Sequence, residues 1–159
     1  MDNLLTLLEE NALQSPEALA RKLGISADEV KRRIEKLEKD RVVLAYKAIV
    51  DDDKADRQTV KAAIEVKITP ERGGGFNRLA SRIAKYPEVN SCFLMSGGYD
   101  LLVFVEGKTL KEVAMFVSEK LSTLQGVIST ATHFMLKTYK AQGVLMEPEE
   151  EEERLQVSP

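Results

Sequence analysis

The chain has 159 residues, 43% hydrophobic and 31% charged, which excludes a globally disordered chain and suits one ordinary domain or two small ones. Its formal net charge of −3 speaks against nucleic acid only when taken whole: without residues 147–159, which hold six Glu and one Arg, 22 basic and 20 acidic residues remain, net +2. Apolar runs such as Leu101 to Val105 are too short for a membrane span of about 20 residues, the Met1-Asp2-Asn3 start has no basic leader region, and the single Cys92 excludes an internal disulfide framework or a Cys-rich zinc site. A cytoplasmic protein with no metal, no cofactor and no membrane partner is the expectation.

The first elements read as helices. Leu4, Leu5, Leu7 and Leu8 recur at helical spacing. Ser15-Pro16-Glu17 is a helix start: Ser caps, Pro suits the first helical position, and Glu suits the positive end. That helix carries Ala18, Leu19, Ala20 and Leu23 and stops at Gly24. Ser26 caps a third helix, with Glu29 placed to complete a capping box. Val30, Ile34 and Leu37 form its apolar face, and Lys31, Arg32, Arg33, Lys36 and Lys39 lie opposite. Val42 to Val50, rich in β-branched residues, predicts a strand, and the polar run 51–57 predicts a linker.

The period then changes. Val60, Ala62, Ile64, Val66 and Ile68 alternate with Lys61, Ala63, Glu65 and Lys67, a strand with one buried face. Pro70 and Glu71 can open a helix that Gly73-Gly74-Gly75 delays. Phe76, Leu79, Ala80, Ile83 and Tyr86 form its stripe, and Pro87 stops it. Strands are expected at Val89–Met95 and Leu101–Val105, joined by a tight loop, Ser96-Gly97-Gly98-Tyr99-Asp100, with both glycines free to take positive φ. Thr109 caps a helix with Leu110, Val113, Val117 and Leu121 inward, and Gly126 leads into a last strand, about Val127 to Tyr139. The order βαββαβ is the ferredoxin-like unit. The expected domains are 1–50, helix-turn-helix; 51–57, linker; 58–140, βαββαβ; and 141–159, a mobile acidic tail.

Two helices joined through Leu23-Gly24-Ile25-Ser26 make a helix-turn-helix. Ala20 is small where the helices cross, and Gly24 supplies the turn. The second helix is then free to enter a major groove, and residues 31–41 carry six basic and three acidic residues. The candidate DNA-binding set is Ser26, Ala27 and Asp28 at the insertion point, with Lys31, Arg32, Arg33, Lys36 and Lys39 mostly on phosphate. Asp28 and Glu29 fit two roles there, accepting from cytosine amino groups or stabilising the helix N-terminus.

These residues resemble the Lrp/AsnC (feast/famine) family of transcription regulators. Leu23-Gly24-Ile25-Ser26, Val30-Lys31-Arg32-Arg33-Ile34 and Leu37-Glu38 look like its DNA-binding half. The run Cys92 to Leu102 is similar to the family's L-x-S/T-G-x-[FY]-D-[YL]-L segment. Gly126-Val127 with Thr130-Ala131-Thr132 is similar to its P-G-V-x-x-T-x-T segment, with Gln125 in place of the Pro. The resemblance covers about residues 2–140. It implies an α+β protein, a winged helix-turn-helix followed by a ferredoxin-like βαββαβ domain for ligand sensing and dimerisation, often assembled further. It also implies transcription regulation through double-stranded DNA in response to an amino acid or related small effector. The effector site would lie between subunits near Gly97 to Asp100. The recognition helix departs from better-known members in carrying Asp28, Glu29 and Glu35, and the acidic tail is an addition.

The residues support parts of this independently. Leu101 to Val105 is apolar on both faces, whereas the βαββαβ unit covers one face of its sheet. A homodimer or higher homo-oligomer is therefore expected. The loop amides of Gly97 and Gly98 suit a carboxylate and Asp100 suits an ammonium, although Asp100 also fits a plain turn. The candidate ligand set is Ser96, Gly97, Gly98, Tyr99 and Asp100, with Thr130 and Thr132, whose β propensity is explanation enough on its own. His133 and Cys92 read as structural, and Met95, Met115 and Met135 as core or interface filler. No acid, base and nucleophile constellation appears, so the chain is not expected to be an enzyme. Two other functions stand beside the regulator: a relative of tetrapyrrole (sirohaem-type) decarboxylases, and an effector-binding assembly protein that no longer reads DNA.

Overall fold

A computed structural model describes residues 3–69 and 75–147. The chain divides after Ala48 into two compact units. The first holds α1 (Asn3–Glu10), α2 (Pro16–Leu23) and α3 (Ala27–Lys39). Their starts and stops follow from local chemistry. The Ser15 hydroxyl accepts from the Ala18 amide at 3.2 Å with Pro16 at the first position, and Gly24 closes α2 in the left-handed conformation, φ 68°. The Ser26 hydroxyl accepts from the Glu29 amide at 3.2 Å. Only this half of the expected capping box forms, because the Glu29 carboxylate turns instead to Arg32 and Arg33. Leu4, Leu8, Leu19, Ala20 and Val30 are buried together, with Ile25 and Ile34 packed at the edge.

The strand expected over Val42–Val50 does not form. The Val42 and Val43 amides donate back to the Leu37 carbonyl at the end of α3, no strand pairs with the segment among the described residues, and Val42, Leu44, Tyr46, Ile49 and Val50 are exposed. A strand is defined by its partner, and β propensity alone supplies none.

The second unit is a four-stranded antiparallel sheet in the order β2-β3-β1-β4, from β1 (Val60–Ile68), β2 (Val89–Leu94), β3 (Leu101–Gly107) and β4 (Val127–Phe134). Helix α4 (Gly75–Ile83) crosses from β1 to β2, and α5 (Leu110–Met115) from β3 towards β4. The alternation of β1 and β3 buries Ala62, Ile64, Val66, Ile68, Leu101, Val103 and Val105 on one face, beneath Ile83, Val113, Phe116 and Leu121.

Several boundaries differ from the sequence expectation. Thr109 caps α5 through the Glu112 amide, but the helix widens into a π-helical turn over Phe116–Leu121. Phe116 enters the core, whereas Leu110, expected inward, is 58% exposed. The last strand stops at Phe134, not Tyr139, and the chain returns through a short hairpin, β5 (Lys140–Ala141) with β6 (Val144–Leu145). Residues 51–57, expected as a linker, include a hydrogen-bonded turn. The Asp51 carboxylate accepts from the amides of Asp53 (3.1 Å) and Lys54 (3.3 Å), and Asp52 pairs with Lys61 on β1. Cys92 packs half-buried against the core, and burial pushes its thiol pKa up. Met95, Met115 and Met135 all stay outside the core. The glycine-delayed start of α4 at residues 70–74 and the tail beyond residue 147 lie outside the described residues.

Candidate nucleic-acid and effector sites

Helix α3 has one face in the core through Val30 and the other wholly in solvent. Lys31, Arg32, Arg33, Lys36 and Lys39 are all exposed, as are Ser26 and Asp28, while Ala27 is half-buried. The structure subdivides this basic face. The Glu29 carboxylate accepts from Arg32 Nη2 at 2.7 Å and from Arg33 Nε at 2.9 Å. The Arg33 hydrogen bond and the Arg32 charge hold the Glu29 pKa below its ordinary value. Among the described residues Lys31, Lys36 and Lys39 form no such close pair, so their exposed ammonium groups are the readiest to meet phosphate. Sequence reasoning missed the Glu29 pairing, whose signal is the i to i+3 and i+4 spacing of opposite charges along α3.

The glycine loop lies between β2 and β3, its residues Ser96, Gly97 and Gly98 exposed and Tyr99 and Asp100 half-buried. Gly97 alone takes a positive φ, 133°; Gly98 does not, against the expectation for both. A Cβ at either position would meet nothing within 4 Å, so the space above the loop is open. Asp100 is anchored on both sides. Its backbone amide donates to the Val66 carbonyl at 3.0 Å, and its Oδ2 accepts from the Ile68 amide at 2.8 Å. One carboxylate oxygen therefore ties the loop to β1, and the other has no hydrogen-bond partner among the described residues. Thr130 and Thr132 pair in register with Val66 and Ile64, so Val66 lies between Asp100 on one side and Thr130 on the other. Their side chains project to the helix-covered face, where the Thr130 and Ser122 hydroxyls are 3.2 Å apart.

Among the described residues, neither helix of this unit covers the other face of the sheet. Alternation places Leu102, Phe104, Phe93, Ala63 and Ala131 there, with the Phe93 and Phe104 rings edge to face at 6.1 Å. Glu65 and His133 share this face, 3.3 Å apart, which accounts for the lone histidine. No helix among the described residues is long and apolar enough to cross a membrane.

A small-molecule fold coupled to a three-helix DNA reader defines a ligand-responsive regulator, and comparison with known proteins agrees. Residues 3–38 match the AsnC-type helix-turn-helix domain and residues 61–145 the Lrp/AsnC ligand binding domain. The chain is 47% identical over 157 residues to the uncharacterized HTH-type transcriptional regulator YugG of Bacillus subtilis (strain 168), covering 98% of this chain and 95% of that one. It is 24% identical over 141 residues to a proline dehydrogenase transcriptional activator of Rhizobium radiobacter, over 89% of this chain and 90% of that one. Among solved structures it resembles the Neisseria meningitidis transcriptional regulator NMB0573 in complex with L-Met (27% identity, TM-score 0.69, 87% of this chain and 88% of that one). The fold also matches that of E. coli AsnC, at 19% identity and TM-score 0.68, over 91% and 97% of the two chains. The chain belongs to the Lrp/AsnC family of transcriptional regulators: a DNA-binding helix-turn-helix domain followed by a ligand-binding domain.

Proposed function

We propose that the chain regulates transcription as a homodimer or larger homo-oligomer, inserting α3 of two subunits into successive major grooves and sensing an amino acid at the loop Ser96–Asp100. The observation that carries the DNA reading is the α3 surface, where five cations face solvent on a helix whose opposite side is core. Lys31, Lys36 and Lys39 fix position on phosphate, and Ser26, Ala27 and Asp28 meet the groove floor. Arg32 and Arg33 join them once DNA competes with Glu29. A two-fold pair of such helices spaced about 34 Å apart reads two half-sites.

Dimerisation is favoured by the uncovered sheet face. At about 25 cal/mol per Å² of apolar area, covering Leu102, Phe104 and Phe93 contributes several kcal/mol. Residues 44–50, which pair with no strand among the described residues, give a second copy further backbone to engage. For the effector, the free Asp100 carboxylate oxygen and the open glycine loop suit the ammonium and carboxylate of an amino acid, with Tyr99 beside them and Thr130 and Thr132 across Val66. The relative solved with L-Met favours the same ligand class. Such a protein works in the cytoplasm and needs neither a catalytic group nor a cofactor.

The deciding experiment is selection of bound fragments from genomic DNA by the purified chain, repeated with each common amino acid present. Enrichment of a two-fold symmetric site whose occupancy changes with an amino acid is expected; no enriched sequence overturns the DNA reading. Asp100→Asn keeps an oxygen for the Ile68 amide and removes the charge. It should therefore abolish the amino-acid response while leaving the fold intact, and unchanged amino-acid binding in calorimetry overturns the ammonium role.

A further inference from the structure

At the end of β3 away from the glycine loop, a cavity of about 260 Å³ opens between β3, the start of β2 and the α5 segment. Val105, Val113 and Phe116 form its apolar walls and Glu88, Glu112 and Lys120 its charged ones, with Glu106 at the rim, its side chain turned to the opposite sheet face by alternation. The volume lies just below the range of drug-sized sites and suits a smaller molecule. Gly107 lets α5 close over it: a Cβ there would meet Val113 Cγ2 at 3.1 Å.

The charges are unbalanced. Glu112 Oε2 accepts from the Lys108 amide at 2.7 Å and Glu106 Oε2 from Asn90 Nδ2 at 2.8 Å, both neutral donors. Glu88 alone has a cation, the Lys120 ammonium on its Oε1, and its Oε2 is buried with no partner. The Glu88 and Glu112 carboxylates against the one Lys120 ammonium favour a cationic guest and repel an anionic one. A buried carboxylate oxygen left without a donor is costly, and a further donor there stabilises the site. Lys120 is not locked in. Its side chain is 47% exposed, and its ammonium rests 5.9 Å and 6.0 Å from the centroids of Tyr86 and Phe116, a cation–π surface. It stands on the π-helical turn Phe116–Leu121, a distortion that recurs at functional sites.

We propose that this cavity is a second small-molecule site for an organic amine with a compact apolar body, whose ammonium displaces that of Lys120 from the Glu88 carboxylate. The exchange conserves charge: one ammonium leaves towards solvent as another enters. The guest's ammonium then supplies the donor that Oε2 lacks, and its apolar body covers Val105, Val113 and Phe116. An α-carboxylate would meet Glu112, so this site selects against amino acids and is separate from the glycine loop.

The test is calorimetry on the full chain with n-hexylamine, and with hexanoate as the same body bearing the opposite charge. Hexylamine should bind and hexanoate should not. Glu88→Gln should weaken hexylamine by about tenfold or more, Lys120→Met should strengthen it by removing the competing ammonium, and Asp100→Asn should leave it unchanged. No hexylamine binding, equal binding of hexanoate, or loss with Asp100→Asn overturns the proposal. If Glu88→Gln fails to fold, Lys120→Met decides alone: unchanged or weaker binding overturns it.

Discussion

The two units of this chain solve stability differently. Among the described residues, the helical unit buries five side chains together, whereas the sheet unit buries twelve. The helical unit therefore leans on local devices: two serine caps, the Gly24 turn and opposite charges three and four apart. The sheet unit has core to spare on one face and an unpartnered apolar surface on the other. The lesson is that the DNA-reading half depends on a few residues, each of them consequential, while the sensing half can carry open loops and a cavity without losing its fold.

The sharpest way to break this contrast is Leu19→Ala. Leu19 is fully buried in the small core, and the truncation should cost about 2–5 kcal/mol. DNA binding in a gel-shift assay should vanish while amino-acid binding by the sheet unit persists; loss of both would mean the units do not fold separately. Next comes Phe104→Lys on the open sheet face. It should weaken self-association by at least about tenfold, equivalent to 1.4 kcal/mol, and shift the mass by light scattering towards the monomer. A micromolar monomer in the unaltered chain would remove the dimer altogether. Gly24→Ala forces a side chain into φ 68° and should lower stability by about 1–2 kcal/mol. Its cost should appear in the helical unit's unfolding alone, followed by circular dichroism.

Acid should give the smallest effect. The Lys120 hydrogen bond holds the Glu88 pKa below its ordinary 4.5. A carboxylate with a depressed folded pKa contributes stability above its unfolded value, and that contribution is lost as pH falls through the lower folded one. The sheet unit's thermal midpoint should therefore drop more steeply below pH 4.5 in the parent than in Glu88→Gln.

Much of this was legible in the residues. Ser15, Gly24 and Ser26 mark helix ends because capping is chemistry between near neighbours. The alternation from Val60 to Ile68 and the both-faced strand at Leu101 follow from a period of two. The Val42–Val50 strand misled because pairing is not a property of one segment, and Leu110 misled because it is the first residue of α5, where the stripe that Val113 and Leu121 continue has not yet reached the core. In the site, Asp100 was visible as a turn residue, but not that its Oδ2 reaches the Ile68 amide 32 positions away.

By itself the sequence determined the order of elements, the helix-turn-helix with its basic face, and the family to which the chain belongs, since each rests on short-range spacing. Only the tertiary structure decided how Asp100 is shared between loop and strand, and that Glu88 and Lys120, 32 residues apart, meet at one cavity. Charge and hydrogen bonding act over a few ångströms of space whatever the separation along the chain. A net charge of −3 thus conceals a basic helix face at one end and a carboxylate-rich pocket in the body.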